Sequence, residues 1–252
     1  MAAFPGVRGR ILGAWGWEHR HPCRHLGATA ARDAGAPRGD EVSGDVASHS
    51  HDAGDQAKGW YSRGYLPHLN EPGLVQSINF RLHDAVPPHV VEAWKQELRW
   101  REGLYTNDPA VVALRRRIVE YEDAGHGCCW LRDERIAAQV EQALLYFDGQ
   151  RYRLLAWCIM PNHVHVLVET WPGYGLGRVL HSWKSYTAQK ANALLGRGGA
   201  FWAREYYDRF IRDERHLVKA IEYIEQNPVK AGLVPTAAEW RFGSAARRGE
   251  DG

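Results

Sequence analysis

The sequence predicts an α+β domain in which helices cover one antiparallel sheet. Two apolar runs, Tyr152 to Ile159 and His163 to Thr170, are separated only by Met160-Pro161-Asn162, a break too short for a parallel crossover. Helical patterns precede and follow this hairpin, so strands and helices occur in blocks rather than in strict alternation. The aromatic content of 11% and hydrophobic content of 44% are enough to build a core, which argues against a disordered chain.

Each element follows from local chemistry. Leu74 to Leu82 is strand-like, and Pro87-Pro88 punctuates before an amphipathic helix from about His89 to Arg101. Asp108 is placed to cap a second helix, with Pro109 in the first helical position, where a missing N–H costs nothing; that helix runs to about Asp123. Asp133 to Phe147 forms a third, with Ile136, Val140, Ala143, Leu144 and Phe147 at core spacing. After the hairpin, Leu176 to Leu195 is a long helix closed by Gly196, and Phe201 to Ile211 is expected as an edge strand. A last helix begins near Asp213 and ends around Asn227, because Pro228 disfavours helical geometry in the residue before it. Residues 59–245 are therefore read as one domain, with a flexible tail at 246–252.

Residues 1–58 differ from the rest: they are rich in Ala, Gly, Arg, Asp and His and lack any period of 2 or 3.6. They are expected to be a disordered extension. His19, His21, His25, His49 and His51 fall here, without a scaffold to gather them on a metal. The four cysteines, Cys23, Cys128, Cys129 and Cys158, show no Cys-x-x-Cys spacing and suit neither a disulfide framework nor a zinc knuckle. No apolar run approaches the roughly 20 residues of a bilayer span, and the N-terminus reads poorly as a secretory signal. A cytoplasmic protein is expected. The formal net charge of +2 is unevenly distributed, since residues 151–252 hold 15 basic and 10 acidic side chains. A local basic excess fits a phosphate-rich partner, and fits a solvated surface as well.

The chemistry concentrates in Met160-Pro161-Asn162-His163-Val164-His165-Val166-Leu167-Val168-Glu169. Side chains alternate across a strand, so His163 and His165 share one face while Val164, Val166 and Val168 point to the other. Such a pair can converge on one cation, or it can be two polar residues on a solvated face. On the last helix, Leu217, Ile221 and Ile224 make the apolar stripe, and Tyr223 lies about 130° from its centre. Asn227 follows four residues later on the same face, with Lys219 one turn before. By spacing alone Lys219 is the cation best placed to favour an ionised Tyr223, and a solvated lysine is an equal reading.

These pieces resemble the REP-associated tyrosine transposases, within the single-tyrosine HUH transposases. The resemblance is carried by Met160 to His165, by Tyr223-Ile224-Glu225-Gln226-Asn227-Pro228-Val229-Lys230-Ala231-Gly232-Leu233-Val234, and by the lead Arg63-Gly64-Tyr65-Leu66-Pro67-His68 with the strand Gln76 to Leu82. It spans roughly residues 60–242, although the stretch from Pro88 to Phe147 exceeds the minimal family core. It implies a ferredoxin-like antiparallel sheet covered by helices, of the HUH endonuclease type. It further implies that His163, His165 and Asn227 hold a magnesium or manganese ion, that Tyr223 is the nucleophile, and that the substrate is single-stranded or hairpin DNA. Lys184, in the family-like stretch Leu180 to Tyr186, and Arg204, Arg209, Arg212, Arg215 and Lys219 are the expected DNA contacts. Tyr186, Tyr206 and Tyr207 are rival nucleophiles. A water-using metal phosphodiesterase and a catalytically silent hairpin-binding protein are the rival functions. The residues leave open whether the tyrosine helix completes the site in its own chain, in a monomer, or by exchange in a homodimer.

Overall fold

A computed structural model describes residues 59–62, 67–71, 73–101 and 108–250. The extension at 1–58 and the lead residues Arg63 to Leu66 lie outside the described residues. The elements are β1 (Gly59–Ser62), β2 (Pro67–Asn70), β3 (Val75–Leu82), α1 (Pro88–Glu97), α2 (Pro109–Asp123), α3 (Glu134–Tyr146), β4 (Tyr152–Ile159), β5 (His163–Thr170), α4 (Leu176–Leu195), β6 (Trp202–Phe210), α5 (Glu214–Glu225), α6 (Asn227–Lys230) and α7 (Ser244–Glu250). Four strands form an antiparallel sheet in the order β4-β5-β3-β6, and β1 pairs with β2 in a separate ladder. The expected α+β architecture is present, and β6 is an edge strand. No helix among the described residues is long and apolar enough to cross a membrane.

Caps set the helix starts where the sequence placed them. Asp108 accepts from the Ala110 N–H at 2.8 Å, Asp133 from Arg135 at 3.0 Å and Asp213 from His216 at 2.8 Å. Two ends differ from expectation. The first helix stops at Glu97, and Arg99 takes a left-handed φ of 52°. Beyond Glu225 the chain continues into α6, because Pro228 sits in the opening turn of that helix, where proline is tolerated. The C-terminal tail expected from 246 is instead helical through Glu250.

Register decides which side chains share a face. In β3 against β5, Asn79 pairs with His165 and Arg81 with His163, while Ile78 and Phe80 pair with Val166 and Val164. The valine face packs on α3 and α4 in the main core, with Ile136, Leu144, Leu180 and Trp183. The histidine face is covered by two helices. There α5 lays Ile224 against Ala156, Cys158 and Leu167, and α2 packs on α1 through Val91, Leu114 and Ile118. The loop after α2 is pressed on the exit of β3: Cys128 N–H donates to Asp84 at 2.7 Å. Gly127 has φ 85°, and a Cβ there would stand 2.9 Å from the Asp84 carbonyl oxygen, so only glycine fits.

Strand β2 is held by a buried polar network on the Phe80 side of the sheet. His68 stacks on Tyr206 at 4.1 Å, its Nδ1 lies 2.5 Å from Asp208 Oδ1, and its Nε2 lies 3.7 Å from Glu205. Asp208 also accepts from the Leu69 N–H at 3.1 Å and from Gln76 Nε2 at 3.3 Å. Burial lowers the His68 pKa, but the bonds to Asp208 and Glu205 outweigh it and hold the value above 6.5. A protonated His68 therefore contributes stability below pH 6.5 that is lost as pH rises through the raised value. Thermal unfolding followed across that range should show a declining midpoint in the wild type and a flatter profile in His68→Gln; equal slopes would refute the ion pair. Asp208→Ala should cost about 3–5 kcal/mol in denaturant unfolding, the loss expected when one partner of a buried pair is removed.

Candidate active site

His163 and His165 are both buried and their rings meet edge to face, with the two Nε2 atoms 2.9 Å apart. Asn162 sets the tautomer of the first. Its Nδ2 donates to the carbonyls of Glu122 at 3.0 Å and His126 at 2.9 Å, so its Oδ1 is the acceptor for His163 Nδ1 at 2.8 Å. His163 is thus protonated on Nδ1 and presents a lone pair on Nε2. Burial, with His165 and Arg81 adding to it, drives the His163 pKa well below 6.5. Burial and Lys230 bring His165 to about 4. Two neutral imidazoles at neutral pH are what a cation requires of nitrogen ligands.

A third donor comes from α2. Asp123 Oδ1 lies 3.6 Å from His163 Nε2, and ligand atoms of Asp123, His163 and His165 all fall within 4.8 Å of one another. The Asp123 side chain is 40% exposed, so it opens the pair to solvent on one side. Sequence reading missed it, because nothing in α2 marks its last residue as a neighbour of a strand 40 positions on. Beside it Glu122 is buried, hydrogen-bonded by Asn79 at 2.9 Å and 3.4 Å from Arg81. Burial pushes Glu122 up to about 7, against the pull of Arg81 and Asn79.

Tyr223 is 39% exposed and sets its ring edge-on to His165 at 5.7 Å. Burial, with Asp123, Glu122 and Tyr207 adding to it, raises its phenol to about 12. Lys230, brought back over the tyrosine by α6, has its ammonium 4.8 Å from the ring centroid. The cation at Tyr223 is thus Lys230 rather than Lys219, which is exposed on α5. Asn227 is buried, and its Nδ2 donates to the Tyr223 carbonyl at 2.8 Å, which identifies Oδ1 as its acceptor atom.

The rival tyrosines stand elsewhere. Tyr206 is buried against His68, Tyr186 rides on α4 across the sheet, and Tyr207 is half-buried beneath Arg115. The expected DNA contacts divide between layers. Lys184 donates to the carbonyls of Ala203 at 2.6 Å and Arg204 at 3.2 Å, so its ammonium ties α4 to β6. Arg204 lies on that same α4 side. Arg209 and Arg212 are on the other side, near α2, and Arg215 and Lys219 are exposed on α5.

Part of the chain is similar to known proteins. Residues 131–227 match the family model described as transposase IS200 like. A Haemophilus influenzae protein named as a REP-associated tyrosine transposase is 29% identical over 107 residues, covering 38% of this chain. The match spans 60% of that relative's length. Among solved structures, a REP-associated tyrosine transposase bound to a REP hairpin aligns at 17% identity and a TM-score of 0.41, over 74% of this chain and 82% of the other. A Deinococcus radiodurans structure named as a transposase aligns at 18% identity and a TM-score of 0.26, over 66% and 96%. Residues 131–227, which carry the histidine pair, Tyr223 and Asn227, are thus similar to the IS200-like transposase family.

Proposed function

We propose that this protein is a metal-dependent DNA strand-transferase that cleaves single-stranded, hairpin-bearing DNA with Tyr223 as nucleophile. The observation that carries the reading is the meeting of a neutral histidine pair with an accessible tyrosine edge-on to it. His163 and His165 would hold a divalent cation, magnesium or manganese, with Asp123 and Asn227 as oxygen donors. The donor set fits: two lone-pair nitrogens and a carboxylate already lie within 4.8 Å. When bound, the cation supplies Lewis-acid stabilisation of charge developing on the phosphoryl oxygens.

The chain's own residues account for the rest. Asn162 orients His163, and Lys230 holds positive charge over the Tyr223 ring, where it favours the phenolate. The Tyr223 oxygen attacks phosphorus, the bond from phosphorus to the 3′ oxygen breaks, and that oxygen takes up a proton matching the one Tyr223 gives up. The products are a 5′-phosphotyrosine and a free 3′-hydroxyl, so the bond energy is kept for rejoining. Activity in the cytoplasm follows from this reading.

Labelled single-stranded hairpin DNA incubated with protein and manganese should give a species at protein mass on a denaturing gel, absent from Tyr223→Phe. An adduct that persists in Tyr223→Phe would remove Tyr223 from the role. Cleavage without any adduct would instead favour water as nucleophile, and binding without cleavage would favour a silent hairpin-binding protein.

Calorimetry with manganese alone tests the ligand set. His163→Ala should abolish binding, and Asp123→Asn should weaken it. Asn162→Ala should reduce affinity about 10–100-fold, the usual cost of losing a partner that orients a ligand histidine. Unchanged affinity in Asp123→Asn would leave Asn227 as the oxygen donor.

A further inference from the structure

On the histidine side of the sheet, α2 and β6 leave between them a groove of about 570 Å³. Arg115 and Arg116 from α2 face Arg209 and Arg212 from the end of β6 and the turn beyond it, over Tyr207 and Phe210. The acids in its lining are Glu120, 3.7 Å from Arg116, and Asp208, whose carboxylate is engaged with His68 across the strand. Lys219 on α5 adds to the same field. Burial and the charges of Arg209, Arg212 and Lys219 together depress the nearby His216. Gathering this many cations in one concavity costs repulsion that a polyanion relieves.

The groove has an aromatic component and a direction. The Arg115 guanidinium lies 4.4 Å over the Tyr207 ring, a stacked pair of the kind that receives the flat face of an unpaired base. Arg115 and Tyr207 also line a narrow cleft with Arg81 and Glu122, and Glu122 adjoins Asp123. Tyr207 stands in the same cross-strand row as His165, with Asn79 between them. One side of the groove therefore borders the sheet row that carries His165.

We infer that this α2–β6 groove carries the single-stranded DNA that leads to the scissile phosphate, with Arg116, Arg209 and Arg212 on successive phosphates and the Arg115–Tyr207 stack under a base. The inference rests on the strand-transferase reading and adds to it a binding track built from α2, an element whose sequence announced no role. Duplex DNA fits the groove less well, because paired bases cannot offer a face to the stack.

The test is fluorescence anisotropy of the full chain with labelled oligothymidine, without divalent metal, over a range of salt. The slope of log affinity against log salt should fall by about 0.7 for each arginine removed, so by about 1.4 in Arg116→Ala/Arg212→Ala. Both side chains are exposed, so the fold is expected to survive their removal. Arg153→Ala, at the far edge strand and paired with Glu169 at 2.7 Å, should leave affinity and slope unchanged. An unaltered slope in the double variant, or tighter binding of a matching duplex with the same arginine dependence, would overturn the groove. Adduct formation on hairpin DNA by wild-type protein separates the two readings: with adduct and an unaltered slope the groove alone fails, and with no adduct and a reduced slope the chemistry alone fails.

Discussion

Asn162 is the junction on which the site depends. Its backbone carbonyl accepts from the Leu82 N–H at 2.8 Å, which fixes the hairpin between β4 and β5 to the end of β3. Its amide nitrogen satisfies the Glu122 carbonyl at the end of α2 and that of His126 in the loop beyond. Its amide oxygen holds His163 in one tautomer. One buried side chain thus couples the strand that carries the histidines to the helix that carries Asp123.

The two faces of β5 divide stability from chemistry. Val164, Val166 and Val168 are fully buried on the α3 and α4 side, and burial of that kind contributes about 1.5–3 kcal/mol per side chain. A strand anchored so firmly cannot slip by one residue, since a slip would bring histidine onto the core face in place of valine. The histidines gain their fixed geometry from that constraint. On their own face they are roofed by α2 and α5, and the desolvation that follows keeps both rings neutral.

The same roof raises the phenol of Tyr223, which is therefore protonated at neutral pH. Burial and the nearby acids Asp123 and Glu122 oppose ionisation, while the Lys230 ammonium lies over the ring. A divalent cation bound between Asp123 and the histidines would offset the carboxylate that holds the phenol up. Cation binding and ionisation of Tyr223 would in this way be linked electrostatically through one side chain.

Much of the architecture was legible because it is written in local chemistry. Proline and aspartate marked the start of α2, glycine ended α4, and strict alternation in β5 put both histidines on one face. Tyr223 stood out as an aromatic away from the apolar stripe of its helix, and Asn227 followed at one turn. What the sequence could not determine were contacts between residues distant along the chain. Asp123 ends a helix with no feature that separates it from other terminal acids, and only the Asn162 bonds bring it to the histidines. Lys230 reaches Tyr223 because Pro228 opens a new turn instead of ending the helix, a choice made by packing rather than by propensity. The arginines of α2 and β6 are ordinary surface charges in sequence and become one groove only when the sheet sets the two elements side by side. Periodicity and caps are local properties and can be read from one chain; the meeting of a carboxylate, a cation and two imidazoles is decided by which surfaces the core forces together.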